Sequence, residues 1–117
     1  MTKDELKLRS KKFALRIIKL VDSLPNTKAG RAIANQIVRS GTSVAANYRA
    51  AFRARSHKEF ISKMGIVEEE SDETLFWLEM ILESGMVEKE KLAALIKEAD
   101  ELTAIFTASG KTAKQRR

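Results

Sequence analysis

Cysteine is absent from these 117 residues, so the chain forms no disulfide and offers no thiolate to a metal. Proline occurs once, at Pro25, and glycine five times, always singly. Isolated glycines exclude a glycine-rich phosphate loop, and long intervals without either residue predict helices rather than strands. Histidine also occurs once, as His57. A di-iron bundle needs Glu-x-x-His on each of two helices, and a zinc cluster needs several His or Cys, so both are excluded. A Ser-His-Asp triad would have to use His57. That residue lies at an expected helix start among Arg53, Arg55 and Lys58, where cationic neighbours disfavour its protonation. No stretch approaches the ~18 apolar residues of a membrane span. The charged start Met1-Thr2-Lys3-Asp4-Glu5 is unlike a signal peptide. A cytoplasmic, non-enzymatic protein with no cofactor, no metal and no membrane partner is therefore expected.

What the chain does have is a globular composition, 44% hydrophobic and 32% charged, at a length that suits one domain. Its charge is divided unevenly. Residues 1–55 hold 13 Lys/Arg against 3 Asp/Glu, and residues 56–110 hold 5 against 13. Residues 111–117 add four basic side chains and no acidic one. Two readings follow. Either the basic half contacts nucleic acid, or basic helices pack beside acidic ones.

Four helical segments emerge from the spacing of apolar residues. The first is predicted over about Asp4 to Ser23, with Thr2 and Glu5 as a capping box and Leu6, Phe13, Ile17, Leu20 and Leu24 as its stripe. Pro25 ends it. The second is predicted over about Lys28 to Arg55, capped by Asn26 or Thr27. Its stripe is Ile33, Ile37, Ser40, Val44, Asn47 and Ala51, and the small residues from Ser40 to Ala46 predict close approach of another helix. Ser56 with Glu59 caps the third helix, whose stripe is Phe60, Met64, Val67, Ser71, Leu75, Leu78 and Leu82, with Gly85 just past its end. The fourth is predicted over about Glu88 to Ala108, with Leu92, Leu95, Ala99, Leu102 and Phe106 inward and Gly110 as its stop. Short connections between long helices predict an all-α, up-down-up-down four-helix bundle over residues 1–110, followed by a basic, disordered tail over 111–117.

A second apolar group complicates the third helix. Ile66, Phe76 and Met80 fall among Glu69, Asp72, Glu73, Glu79 and Glu83, with Trp77 on the flank. Large apolar side chains clustered on one face predict an interaction surface, and here self-association. Arg9, Lys12, Arg16 and Lys19 form a basic stripe on the first helix. A basic flank on one subunit would meet the acidic-apolar face of the next, with Glu73 among the acids, and such heterologous contacts close into rings. Ser40 and Asn47 are polar residues on a buried stripe, and the structural reading has them bonding to neighbouring helices and fixing register.

Arg49, Arg53, Arg55 and Lys58 are the candidate nucleic-acid contacts, with Arg31 on the same side of the helix and Lys111, Lys114, Arg116 and Arg117 as mobile additions. Tyr48 and Phe52 are the only aromatics near that patch. Backbone and shape contacts to structured RNA are therefore expected over stacking on unpaired bases. The plain alternative is that Arg49 and Arg53 pair with Glu69, Glu73 or another acid. The rival function is a protein–protein adaptor that touches no nucleic acid.

The segment Gln36-Ile37-Val38-Arg39-Ser40-Gly41-Thr42-Ser43-Val44-Ala45-Ala46-Asn47-Tyr48 resembles the hallmark of the 23S rRNA intervening-sequence protein family. So do Ser56-His57-Lys58-Glu59-Phe60, Trp77-Leu78 and the Leu24-Pro25 end of the first helix. Many members carry an acidic residue soon after the Asn, where this chain has Arg49-Ala50-Ala51. The resemblance implies an antiparallel four-helix bundle, a homopentameric ring and a link to reading frames inserted in bacterial large-subunit rRNA genes. The accessory proteins of diversity-generating retroelements look similar; they are basic pentameric barrels that bind nucleic acid and a reverse transcriptase. No catalytic residue carries over from either group.

Overall fold

The computed structural model describes residues 1–116, which form four helices: α1 (Lys3–Val21), α2 (Lys28–Ala51), α3 (His57–Glu83) and α4 (Lys89–Gln115). Among the described residues there is no strand. Three starts are set by the expected caps. The hydroxyl oxygens of Thr2, Thr27 and Ser56 accept from the amides of Glu5, Gly30 and Glu59 at 3.1, 3.0 and 3.0 Å. Each satisfies a donor that the first helical turn leaves unpaired. Past α3, Gly85 adopts a φ of 76°, its amide donates to the Leu82 carbonyl, and the Met86 amide donates to the Ile81 carbonyl. This double closure needs a left-handed residue, which Gly supplies without a Cβ clash.

Two helix ends differ from the sequence expectation. α2 stops at Ala51 rather than Arg55, because the chain must turn before Ser56 can cap α3. The amides of Arg53 and Ala54 close that turn on the carbonyls of Ala50 and Ala51. α4 does not stop at Gly110. That residue is helical and buried, and a Cβ on it would lie 3.5 Å from a carboxylate oxygen of Glu68. The helix continues with Ala113 buried and the Ala113 carbonyl 2.9 Å from His57 Nε2. A glycine ends a helix when it turns left-handed, and Gly110 does not. Residues 111–115 therefore belong to the folded helix and are not a disordered tail; Arg117 lies outside the described residues.

Each helix packs on the next in sequence, and α1 meets α4 more sparsely. The molecule measures 47 × 23 × 20 Å, so helices about 40 Å long must run along its long axis. On α1 and α4 the buried stripes are the expected ones, with Leu24 half-buried at the end of the first. On α3 the expected Met64, Val67, Ser71 and Leu78 are buried, but Phe60, Leu75 and Leu82 are only half-buried, and Thr74 and Ile81 are fully buried in place of the last two. The small residues of α2 do allow close approach. A Cβ at Gly41 would sit 3.0 Å from two side-chain carbons of Ile17.

Ser40 is buried, with its hydroxyl 3.0 Å from that of Thr74, and the Ser71 and Thr103 hydroxyls are 2.8 Å apart. These pairs tie α2 to α3 and α3 to α4, and a displacement along the axis would strand a buried polar group. Asn47 does not share this role. It is half-buried, and its side-chain amide donates to the Ser43 carbonyl of its own helix at 3.0 Å. The neighbouring Tyr48 takes the inward place and packs 5.4 Å, centroid to centroid, from Phe106.

Candidate functional site

Basic side chains from all four helices gather at one end of the molecule. The ammonium groups of Lys3 and Lys7 lie 4.9 and 5.1 Å from the centroid of the Phe52 ring, just past the end of α2. Phe52 in turn packs against Phe60 on α3, and His57 stacks on Phe60. An open cleft of about 890 Å³ there is shared by Met1, His57, Phe60, Thr112 and Arg116. Burial and the negative charge of Asp4 raise the Tyr48 pKa above its ordinary value. Tyr48 is thus internal and the Phe52 ring is covered by two lysines, while Phe60 and His57 line the cleft.

Among the described residues, Arg49, Arg53, Lys58, Lys111, Lys114 and Arg116 have no carboxylate at ion-pair distance. Arg49 and Arg53 do not pair with Glu69 or Glu73. Arg39 takes Glu73 at 2.6 Å and Glu70 at 3.5 Å instead. Arg55 meets Glu59 at 3.8 Å with its side chain almost wholly in water, a contact of small energetic weight. Lys111 and Lys114 are fixed on the last turns of α4 rather than mobile. Arg31 stands apart. Its guanidinium donates to Asn26 Oδ1, and the 18 helical residues between it and Arg49 place the two roughly 27 Å apart along α2.

The outward faces of α1 and α3 are the second notable surface. Phe76 is 46% and Ile66 36% exposed. Trp77 and Met80 are half-buried, and the Trp77 indole N–H donates to Glu73 at 3.4 Å with Phe76 edge-on at 5.0 Å. Glu73 is therefore held from two sides inside the protomer. Arg9 does not belong to the exposed basic stripe. It binds both carboxylate oxygens of Glu98 at 2.8 and 2.6 Å, with Glu101 at 3.5 Å, and the bond to Glu98 raises its pKa. Lys12, Arg16 and Lys19 do remain exposed. Beside them stand Leu8, Leu15 and Ile18, exposed by 54, 55 and 43%. Sequence reasoning missed these three, although Leu8, Lys11, Leu15 and Ile18 follow 3-4-3 spacing on the side away from the core.

Among the described residues no three His, Asp or Glu side chains converge to hold a metal ion, and no helix is long and apolar enough to cross a membrane. A family model described as 23S rRNA-intervening sequence protein matches residues 3–108. The chain belongs to that family. A crystal structure of a protein with unknown function from the S23 ribosomal protein family of Bacteroides thetaiotaomicron is similar to it. The two share 33% identity over 91% of this chain and 98% of that one, with a TM-score of 0.83. Among curated proteins nothing matches. The family match takes in Arg49, Arg53, Arg55 and Lys58 and stops short of Lys111, Lys114 and Arg116, so the family region holds only part of the basic end.

Proposed function

We propose that this protein is a non-enzymatic, self-associating up-down-up-down bundle that binds structured RNA, or nucleic acid of similar shape, through its basic end. One observation carries the reading: cations from four helices meet there and, apart from Arg55, have no carboxylate at ion-pair distance among the described residues, while Arg9 and Arg39 are neutralised within the protomer. Clustered unpaired cations favour a polyanion, and phosphate contacts position such a ligand without reading its bases. The buried Tyr48 and the lysine-covered Phe52 support backbone contact over base stacking. The lone His57 has one ring nitrogen engaged by the Ala113 carbonyl, which supports a structural role for it.

Self-association rests on the α1 and α3 faces. Leu15 and Ile18 flanked by Lys12, Arg16 and Lys19 are complementary to Ile66, Phe76 and Met80 flanked by Asp72, Glu79 and Glu83. Such a contact joins different faces, so it propagates and closes as a ring, and a pentamer is the form the family resemblance implies. A ring would repeat the basic end several times on one side and add avidity. Filter binding of the purified protein to a structured rRNA fragment, at low and moderate salt, tests the RNA reading. Binding at micromolar concentration or tighter that weakens with salt is expected. No binding at low salt would favour the protein-adaptor reading.

A further inference from the structure

The geometry points to one sugar–phosphate strand as the ligand of the groove between the N-terminal half of α1 and the C-terminal half of α2. Lys7 and Lys11 form one rim of this groove, and Arg49 and Arg53 form the other. The inference rests on the RNA reading above and adds a place and two lysines to it. The groove has a volume of about 470 Å³; Asp4, Lys7, Leu8 and Lys11 line it from α1. From α2, Thr42, Ala45 and Ala46 form the floor and Arg49 the edge. A second hollow lined by Ala46, Arg49, Ala50 and Arg53 continues it toward the end of the bundle.

Each part suits a polyanionic strand. The floor is made of short side chains, so a phosphodiester backbone can come close to α2. None of the four cations has a carboxylate at ion-pair distance among the described residues. Lys7 is steadied against the Phe52 ring, which leaves less side-chain freedom to lose on binding. Lys7 and Lys11 are one helical turn apart, about 6 Å, a step close to that between successive phosphates on a strand. No aromatic face opens into the groove, so the bases of a strand lying in it would point away from the protein. Asp4 is the one acidic group in the lining, and it opposes the ligand.

Fluorescence anisotropy with a fluorescein-labelled RNA hairpin tests this on the full-length assembly, with light scattering and circular dichroism run beside it. Lys7→Gln with Lys11→Gln is expected to weaken binding roughly tenfold at low salt. The same pair should flatten the plot of log affinity against log salt by about 1.4–1.8, at roughly 0.7–0.9 per lost phosphate contact. Ala46→Trp fills the groove without altering charge and is expected to weaken binding by a similar factor. Asp4→Asn is expected to tighten it severalfold. Wild-type binding that neither the lysine pair nor Ala46→Trp alters would overturn the groove assignment and leave the basic-end reading in place. No wild-type binding at low salt would overturn both. A fall in assembly mass with either variant would mean that a second copy of the chain occupies the groove, and would overturn the assignment too. Should Ala46→Trp fail to fold, the lysine pair decides.

Discussion

Arg39 lies at the middle of α2 and is held by glutamates of α3, whereas Arg49 and Arg53, a few turns farther along the chain, are not. The residue type is the same and the difference is axial level. Among the residues of α3 and α4, acids are confined to the stretch from Glu68 to Glu101, apart from Glu59. The start of α3 and the end of α4, which stand beside the basic end, have little else to offer. Folding cancels only that part of the charge asymmetry whose two signs fall at the same height. What remains is a middle rich in acids and a basic end, and function is sought at the end.

Lys12, Arg16 and Lys19 belong to neither class. They are unpaired in the protomer, yet a second copy would bring the acids of α3 opposite them. Breaking that contact should give the largest effect. Phe76→Asp with Met80→Asp removes two apolar anchors, each worth about 1.5–3 kcal/mol when buried, so each contact should weaken on the order of 100- to 10,000-fold. Light scattering at micromolar concentration should then report 13.1 kDa rather than a multiple of it, with helicity retained. A wild-type protein that is already monomeric would remove these cations from the assembly class.

Charge reversal tests the comparison itself. Arg49→Glu with Arg53→Glu should weaken RNA binding on the order of 100-fold while the assembly persists, because two contacts become two repulsions. Arg39→Glu makes the same chemical change where the charge is already neutralised. It should leave RNA affinity nearly unaltered and destabilise the fold by about 1 kcal/mol or less, since Arg39 is a half-exposed partner. Equal losses from the two reversals, read by filter binding, would show that net charge rather than position governs binding.

Truncation separates the same two classes by stability. Arg9→Ala leaves Glu98, 17% exposed, without its two hydrogen bonds, and should cost about 1–2 kcal/mol. That corresponds to a Tm lowered by roughly 4–8 °C. Arg49→Ala should stay within about 0.5 kcal/mol of wild type, as exposed unpaired positions do. Thermal melts of the two variants under one buffer condition would check both.

Helix starts were legible because caps are local: Thr2, Thr27 and Ser56 act within three residues of themselves. Gly85 and Gly110 look alike in sequence, but only Gly85 turns left-handed, whereas Gly110 is buried inside α4 with Glu68 of another helix nearby. The core stripes of α1 and α4 followed from periodicity, and so did Met64, Val67, Ser71 and Leu78 of α3, whereas Leu75 and Leu82 were read one step past the buried Thr74 and Ile81, because the apolar residues of α3 cover two faces. The unpaired state of Arg49 and Arg53 was not legible at all, since pairing depends on axial height. Asn47 was misplaced for a related reason, a small rotation of α2 that turns Tyr48 inward. Asn47→Ala should accordingly cost no more than about 0.5 kcal/mol, the loss of a half-exposed bond within one helix, against the 1–3 kcal/mol expected had it been buried between helices. Urea midpoints of Asn47→Ala and Ser40→Ala would rank the two, with Ser40→Ala the more harmful.

The smallest effect concerns the layer beneath the basic end. Tyr48 lies under a surface crowded with cations, which on their own would ease its ionisation, yet burial and the Asp4 charge raise its pKa above 10.0. The favoured folded form is therefore the neutral phenol. Below the ordinary value of 10.0, tyrosine is neutral in both folded and unfolded chains and contributes no pH dependence. Above it the unfolded chain releases the proton while the folded chain resists, so stability falls as pH rises through that value. Tyr48→Phe removes this group and keeps the ring that packs on Phe52 and Phe106. Subtracting the variant from the wild type isolates this group from the rest of the chain. Thermal melts of both proteins from neutral pH to beyond pH 10 should run parallel at first, with the wild type losing extra stability at the alkaline end. Parallel curves throughout would mean that the cations of the basic end do reach Tyr48 and offset its burial, and that the division between surface charge and internal support is less sharp than the geometry indicates.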